Sequence, residues 1–201
     1  RSLRPLLRSG RRFFFFHPRF SDMELNPLTA LSPIDGRYAR QTDALRDIFS
    51  ECAFMNARVR VEVEWLISLS EAGFAELPHL SDHGKAFLRG LADNFSLADC
   101  EAIKEIEKTT NHDVKAVEYW IKNQVAHDEE LKSASEFVHF SCTSEDINNT
   151  SHAIMLKRGR EALADYLQQI HDTIAGFAHH ARPDRLSDDG RQGIRQRRRA
   201  S

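Results

Sequence analysis

Apolar residues recur at every third or fourth position along most of the chain, which is the spacing of amphipathic helices. The first such run extends over residues 42–73, and a shorter run extends over residues 82–93. Ser96, with Asp99 three positions later, is typical of a capping box at a helix start, and a further apolar run surrounds Trp120. The sequence contains no strand-like alternation, internal repeat or Gly-rich phosphate loop. The pattern therefore predicts an all-α fold.

A much longer helix is predicted at the end of this regular pattern. Thr143 and Asp146 form a second helix-start signal, and an uninterrupted segment follows from Glu145 to about His180. At about 1.5 Å per residue, this helix would be roughly 50 Å long. A helix of that length needs packing partners along its course. Its apolar stripe consists of Ile147, Ile154, Leu163, Tyr166, Leu167, Ile170, Ile174 and Phe177.

The composition is that of an ordinary soluble chain, with 41% hydrophobic and 29% charged residues among 201. That length can bury one substantial core. No apolar run approaches the roughly 18 residues that span a bilayer, so we expect no membrane partner. The cysteines Cys52, Cys100 and Cys142 are odd in number, widely spaced and without a CxxC motif. We therefore expect neither a disulfide framework nor a zinc site, and a reducing, cytoplasmic location.

The net charge of −2 conceals a strong asymmetry along the chain. Residues 1–22 hold six arginines and one acid, and residues 182–201 hold seven arginines and three acids. The middle, residues 23–181, holds 15 basic and 26 acidic residues. Charge blocks of this kind are usually tails or foreign segments and not parts of one fold.

Each of the two basic ends can be interpreted in two ways. Residues 1–22 suggest a non-native leader, with Met23 as the natural start; a nucleic-acid-binding arm is the alternative. Their contiguous phenylalanines cannot form one face of a helix, which argues against an organellar transit peptide. Residues 182–201 lack any apolar period and suggest either a disordered basic tail or a frameshift. The shift would fall between His179 and Arg185, because the adjacent reading frame can encode an apolar helical segment.

Two short polar clusters precede predicted helices. Arg37 follows a Pro-containing turn, where it is either a solvated charge or a forked donor for phosphate or carboxylate. Asn111, His112 and Asp113 stand between two helices. There Asn111 could cap the second helix while Asp113 complements its dipole, and His112 would be incidental. Alternatively, these side chains and an imidazole lie beside a helix N-terminus that attracts anions.

The third polar cluster is the most informative. It covers residues 140–152 and crowds the first turns of the long helix with polar side chains. Thr143 and Ser144 could simply cap that helix. They could also bind a carboxylate together with the free backbone N–H groups of its first turn.

The three clusters together resemble adenylosuccinate lyases. Residues 32–38, Ser-Pro-Ile-Asp-Gly-Arg-Tyr, resemble the opening motif of that family. Residues 108–119 resemble its first-domain histidine motif, and residues 136–149 resemble the start of its helical-bundle domain. All three occur in the family's order. The resemblance implies a small N-terminal helical domain over residues 23–130, followed within residues 131–181 by the first long helix of a central helical bundle.

The reaction implied by the resemblance is the β-elimination of fumarate from adenylosuccinate and from the succinylocarboxamide ribotide of purine biosynthesis. A base removes a proton from the succinyl carbon, an acid protonates the departing nitrogen, and fumarate leaves. Both substrates carry one phosphate and two carboxylates, so the site needs several anion-binding groups. No cofactor, metal or nucleic acid is implied. In the intact family the partner is a homotetramer in which three subunits complete each site.

The residues that the resemblance assigns to the substrate fall in the same three motifs. The first motif contacts the nucleotide phosphate, the second contacts the substrate, and the third holds an anionic oxygen at a helix N-terminus. His112 lies near the reacting groups and is the candidate catalytic residue. The full set is Arg37, Tyr38, Asn111, His112, Asp113, Thr143 and Ser144.

Departures from the family pattern concern the chemistry itself. Where the family has a Ser-x-Thr-His-Gly-Gln loop with the acid histidine, this chain reads Leu-Ser-Asp-Asp-Gly-Arg-Gln over residues 186–192. The loop that carries the base serine, Ser-Ser-x-Met-Pro-x-Lys-x-Asn, is also absent. We therefore expect this truncated chain to be inactive by itself. The alternative function is a non-catalytic helical interaction protein whose apolar stripe binds partner helices.

Overall fold

The computed structural model describes residue 28 and residues 30–180, and these residues form helices and connections without a β-strand. The chain divides into two compact units, one up to Asp43 and one from Ala44 onward. The predicted all-α fold is confirmed. The α-helices are α1 (Arg46–Phe49), α2 (Glu51–Glu71), α3 (Asp82–Asp93), α4 (Leu97–Thr110), α5 (Asp113–Val125), α6 (Glu129–Ala134) and α7 (Ser144–His180), and two 3₁₀ turns span Asp43–Leu45 and Ser135–Phe137.

The first predicted helical run is interrupted once. Ser50 has an extended backbone (φ −70°, ψ 163°), which ends α1, and its hydroxyl accepts a hydrogen bond from the N–H of Ala53 to cap α2. Periodicity alone does not reveal such a break, because apolar spacing continues across it. The α2 helix then supplies the centre of the core, where its apolar face packs against α3, α4, α5 and the segment before α7.

The α3 and α4 helices occur where the sequence predicts them. Ser96 and Asp99 form the expected capping box at the start of α4. The expectation that the cysteines form no disulfide is wrong, because Cys52 of α2 and Cys100 of α4 are bridged, with Cα atoms 5.7 Å apart. Both cysteines lie on the core-facing sides of their helices, and only the packing of those helices brings them together. Cys142 is a free thiol.

The long helix α7 runs antiparallel to α1 and α2. Residues nearer the N-terminus of α2 contact residues further along α7: Arg58 donates a hydrogen bond to Asn148, and the Phe54 ring stacks on His152. Phe49 then lies against Gly159, where an added Cβ would overlap its ring. Beyond Gly159, the side chains of α7 are almost all exposed. The predicted stripe is therefore buried only at its start.

Several predictions concern residues at the ends or at a boundary. Residues 1–22 and 182–201 lie outside the described residues, so the leader and frameshift interpretations stay predictions. The domain boundary predicted between residues 130 and 131 lies inside α6 and also stays a prediction. Among the described helices, none combines the length and the apolar character needed to cross a membrane.

Candidate functional site

The corner between α4 and α5 places the second polar cluster. Asn111 has a left-handed backbone (φ 50°, ψ 30°) and ends α4, with its N–H donating to the carbonyl of Glu107 at 2.8 Å. Asparagine tolerates this conformation better than most residues. His112 is extended and is the N-cap of α5. The sequence interpretation that Asn111 caps α5 is therefore wrong, because the tight corner uses Asn111 to stop one helix and His112 to start the next.

The ring of His112 has a defined orientation. Its Nδ1 accepts a hydrogen bond from the backbone N–H of Lys115 at 3.2 Å. A ring nitrogen that accepts carries no proton, so neutral His112 bears its proton on Nε2. That Nε2 lies 3.4 Å from Oγ of Ser144, although the two residues are 32 positions apart in sequence. The ring is half-exposed. The structure thus brings together the second and third predicted clusters.

The start of α7 is capped by a reciprocal pair. Both the backbone N–H and the hydroxyl of Thr143 donate to one carboxylate oxygen of Asp146, at 2.8 and 2.9 Å. These bonds lower the pKa of the Asp146 carboxyl. Thr143 is therefore occupied as a cap. Among the described residues, the hydroxyl of Ser144 makes no such capping bond. It faces His112, and these two side chains form the contact between the starts of α5 and α7.

Arg58 of α2 links the same two helix starts from beneath. Its Nε donates to Oδ1 of Asn148 at 2.9 Å, and its terminal nitrogen donates to Oδ2 of Asp113 at 2.5 Å. The Arg58 side chain is 4% exposed, so its donor groups are shielded from water, whereas the Asp113 side chain is 43% exposed. Burial raises the pKa of Asp113, but the N–H of Val114 and the guanidinium of Arg58 together bring that pKa below its ordinary value.

A layer of rings supports the guanidinium. The Phe54 ring lies 3.8 Å below the central carbon of Arg58, a cation–π contact, and stacks on His152 at 4.5 Å. Sequence reasoning missed Arg58. The available signal was a charged residue one position before Val59, inside the apolar stripe of α2, where a neutral residue would pack more readily.

A second hydrogen-bonded pair of ionisable side chains lies one turn further along α2. Glu62 is fully buried, and its Oε1 lies 2.6 Å from Nδ1 of His139, which precedes α7. His139 has a left-handed backbone (φ 64°), and Trp65 donates its indole N–H to the carbonyl of neighbouring Phe140 at 2.9 Å. Sequence reasoning missed this pair too. These contacts hold the connection that leads into the start of α7.

An open groove of about 560 Å³ lies between α2 and the first turns of α7. Its walls are largely apolar, with Val61 and Trp65 on one side and Ile147 and Ile154 on the other. Asp146 of the α7 capping box also lines it. None of the seven residues that the sequence assigns to the substrate lines this groove.

Arg37 and Tyr38 belong to the first unit of the chain. The predicted turn is present there: the N–H of Gly36 donates to the carbonyl of Ser32 at 3.0 Å, and the hydroxyl of Thr42 donates to the carbonyl of Tyr38 at 3.2 Å. The guanidinium of Arg37 lies 4.7 Å from the centre of the Tyr38 ring. Both side chains are exposed, so their donors are open to a ligand.

Comparison with known proteins gives consistent similarities. A family model described as a lyase matches residues 36–182. An adenylosuccinate lyase of Vibrio cholerae serotype O1 is 54% identical over 153 residues, which are 76% of this chain and 33% of the relative. Adenylosuccinate lyases of Haemophilus influenzae and Escherichia coli K12 are 52% and 51% identical over 158 residues, 78% of this chain and 35% of each relative. The chain thus spans about a third of the length of these relatives.

Proposed function

Because this chain belongs to the lyase family, we propose that it forms part of the active site of an adenylosuccinate lyase of purine biosynthesis. The substrates are adenylosuccinate and the succinylocarboxamide ribotide, and the reaction is the β-elimination that releases fumarate. The observation that carries this proposal is the 3.4 Å approach of His112 Nε2 to Ser144 Oγ. It joins two motifs that resemble those of adenylosuccinate lyases.

The chemistry at this meeting point suits a substrate oxygen that bears negative charge. The Nε2–H of His112 and the hydroxyl of Ser144 are both donors, and both stand at helix starts, where backbone N–H groups favour anions. A carboxylate oxygen of the succinyl group can accept from both. Stabilising the charge that spreads onto that carboxylate when the succinyl proton leaves would speed the elimination.

His112 acts in this proposal through its Nε2 proton. Lys115 N–H occupies Nδ1, so the neutral ring donates from Nε2 and does not accept there. A donor can hold an oxygen or pass a proton to a leaving atom, and it cannot remove a proton while in that state. The proposed role is therefore hydrogen bonding close to the reacting groups, with Asn111 at the same corner in contact with the substrate.

Asp113 and Thr143 were assigned to substrate binding from the sequence, but we propose structural roles for both. The Asp113 carboxylate would repel the anionic groups of the substrate, and its oxygens already accept from Arg58 and Val114. We assign it to positioning. Thr143 is assigned to capping α7 for the same reason, since its donors serve Asp146.

The nucleotide phosphate is assigned to Arg37 and Tyr38. A guanidinium presents a fork of donors that matches phosphate oxygens, and a phenol adds a further donor. Thr42 bonds the carbonyls of Ile34 and Tyr38, which holds the turn that presents them.

Assembly is proposed through the outer part of α7. Its side chains Leu163, Leu167, Ile170, Ile174 and Phe177 are 52–71% exposed. Their three-to-four spacing forms one stripe, which is what a helix of a multi-subunit bundle requires. We propose that this stripe packs in a homotetramer in the cytoplasm, where the reducing environment would keep the Cys52 and Cys100 thiols apart as free thiols.

The proposal can be tested in a chimera. The 153 matched residues of the Vibrio cholerae relative are replaced by those of this chain, and fumarate release from adenylosuccinate is followed by purine absorbance. We expect turnover, with a loss of about 10²–10³-fold in His112→Ala, the usual cost of removing one donor to a developing negative charge, and a smaller loss in Ser144→Ala. Arg37→Ala should mainly raise KM, because a phosphate contact far from the reacting carbon binds substrate and transition state alike.

Arg40→Ala is the matched control for Arg37→Ala, since both are exposed arginines of the first unit. It should leave KM unchanged. A folded chimera that is inactive, or one in which His112→Ala retains full activity, would contradict the proposed function. An inactive chimera that still binds helical partners through α7 would instead support the interaction protein.

A further inference from the structure

We propose that Arg58 is a positioning residue that holds the starts of α5 and α7 together, so that His112 and Ser144 face one another. What the paired residues do rests on the proposed function. The holding role of Arg58 does not depend on that function, because it is inferred from the contacts of Arg58. Arg58 lies outside all three motifs that identify the family resemblance.

The two bonds of Arg58 reach two different helices, each close to its start. Asp113 is the first residue of α5 and directly follows the N-cap His112. Asn148 lies one turn beyond Ser144, the first residue of α7. The bonds span 55 and 90 positions of sequence, so no local turn can replace either of them. Arg58 therefore ties the two helix starts to each other directly, whereas the Glu62–His139 contact holds only the connection before α7.

Arg58 cannot itself contact the substrate. Its side chain is 4% exposed, and Nε and one terminal nitrogen already donate to Asn148 and Asp113. The Phe54 ring covers one face of the guanidinium at 3.8 Å. An effect of Arg58 on the reaction must then pass through the residues that it holds.

The geometry requires an arginine. Guanidinium donors lie in one rigid plane, so bonds from Nε and from a terminal nitrogen fix a direction as well as a distance. A lysine ammonium would keep the charge beside Asp113 but could not also donate from the Nε position to Asn148. Because the guanidinium is shielded from water, loss of either acceptor leaves a buried donor of Arg58 without its partner.

The first test uses the full 201-residue chain. Nuclear Overhauser contacts between the His112 ring and the Ser144 side chain report their approach, which the structure places at 3.4 Å. We expect the contact in the unchanged chain and its loss in Arg58→Lys and Arg58→Met. Asn148→Ala removes one bond only and should weaken the contact while α2 stays intact. Arg60→Met is the matched control, because Arg60 on the same helix is partly exposed and its hydrogen bond goes to Asp93, not to α5 or α7.

Measuring the His112–Ser144 contact distinguishes a positioning role of Arg58 from a general contribution to stability. A purely structural role would lower the melting temperature and leave the His112–Ser144 contact in the folded molecules. Retention of that contact in folded Arg58→Lys and Asn148→Ala would overturn the proposal. If Arg58→Met does not fold, the other two variants decide the outcome.

The second test measures activity in the chimera with the Vibrio cholerae relative. Displacing a group by about 1 Å can cost on the order of 10²-fold, so we expect kcat/KM to fall by about that factor in Arg58→Lys, mostly through kcat. Unchanged kcat in Arg58→Lys would overturn the proposal. An inactive chimera with native Arg58 would count against the proposed function alone, because the contact in the 201-residue chain is measured independently.

Discussion

Oε1 of Glu62 lies 2.6 Å from Nδ1 of His139, and this contact joins the middle of α2 to the connection that leads into α7. The Glu62 side chain is fully buried, whereas that of His139 is 18% exposed. The other carboxylate oxygen of Glu62 has no hydrogen-bond partner among the described residues. Glu62 therefore depends on His139. Its hydrogen bond raises the pKa of His139 above the ordinary value of 6.5, against the opposing effect of burial.

This pair predicts a pH dependence of stability. Because the pKa of His139 is higher in the folded state than in the unfolded state, the pair contributes fully below pH 6.5 and less as the pH rises through the folded pKa. Urea unfolding measured at increasing pH above 6.5 should show a falling free energy of unfolding. His139→Asn and Glu62→Gln should each remove this component. The same substitution at exposed His127 is the control, and a His139→Asn profile that still falls in parallel with that of the unchanged chain would contradict the assignment.

Gly159 predicts a packing effect within α7. An added methyl group would overlap the Phe49 ring, so Gly159→Ala should lower the free energy of unfolding by about 1–3 kcal/mol. Gly176 lies in the same helix with nothing within 4 Å. Gly176→Ala should therefore be neutral or stabilising by up to about 1 kcal/mol. Thermal and urea unfolding by circular dichroism measure both, and Phe49→Ala should cancel the loss at Gly159.

The Cys52–Cys100 disulfide predicts a specific thiol count. The folded, oxidised chain should offer one thiol to a chromogenic reagent, and that thiol should react slowly, because burial raises the pKa of Cys142. Reduction should expose three thiols and lower the free energy of unfolding by about 2–4 kcal/mol, since the bridge spans 48 positions. Cys142→Ser should leave no reactive thiol before reduction. Three reactive thiols in the unreduced, folded chain would show that the bridge does not form.

Thr143 predicts a difference between two conservative changes. Its hydroxyl caps α7 through Asp146, so Thr143→Ala should cost about 0.5–2 kcal/mol of stability, whereas Thr143→Ser should retain most of it. Urea unfolding measures both variants. In the chimera, Thr143→Ser should keep its turnover, because the proposed anion contact is made by Ser144. A loss of activity in stable Thr143→Ser would return Thr143 to the substrate-binding residues.

Local sequence signals predicted the helices well because their causes are local. Ser96 with Asp99 and Thr143 with Asp146 cap helices through bonds that span three positions. Such bonds form wherever the surrounding chain lies, so the sequence alone reveals them. The break at Ser50 was missed because it leaves the apolar spacing unchanged.

Pairings between distant residues could not be read from the sequence in the same way. The three motifs marked His112 and Ser144 as candidates, but their contact depends on how α5 and α7 meet. Arg58 and Glu62 look like interruptions of an apolar stripe until Asp113, Asn148 and His139 are seen around them. Their partners lie 55, 90 and 77 positions away.

The sequence by itself determined the all-α fold, the capped starts of α4 and α7, and which three clusters resemble a lyase. Tertiary structure decided that Asn111 ends one helix while His112 starts the next, that Cys52 reaches Cys100, and that α7 is exposed beyond Gly159. The physical reason is the sequence separation over which each interaction acts. Periodicity and capping act within a few residues, whereas the packing of α2 against α4, α5 and α7 decides which distant side chains meet.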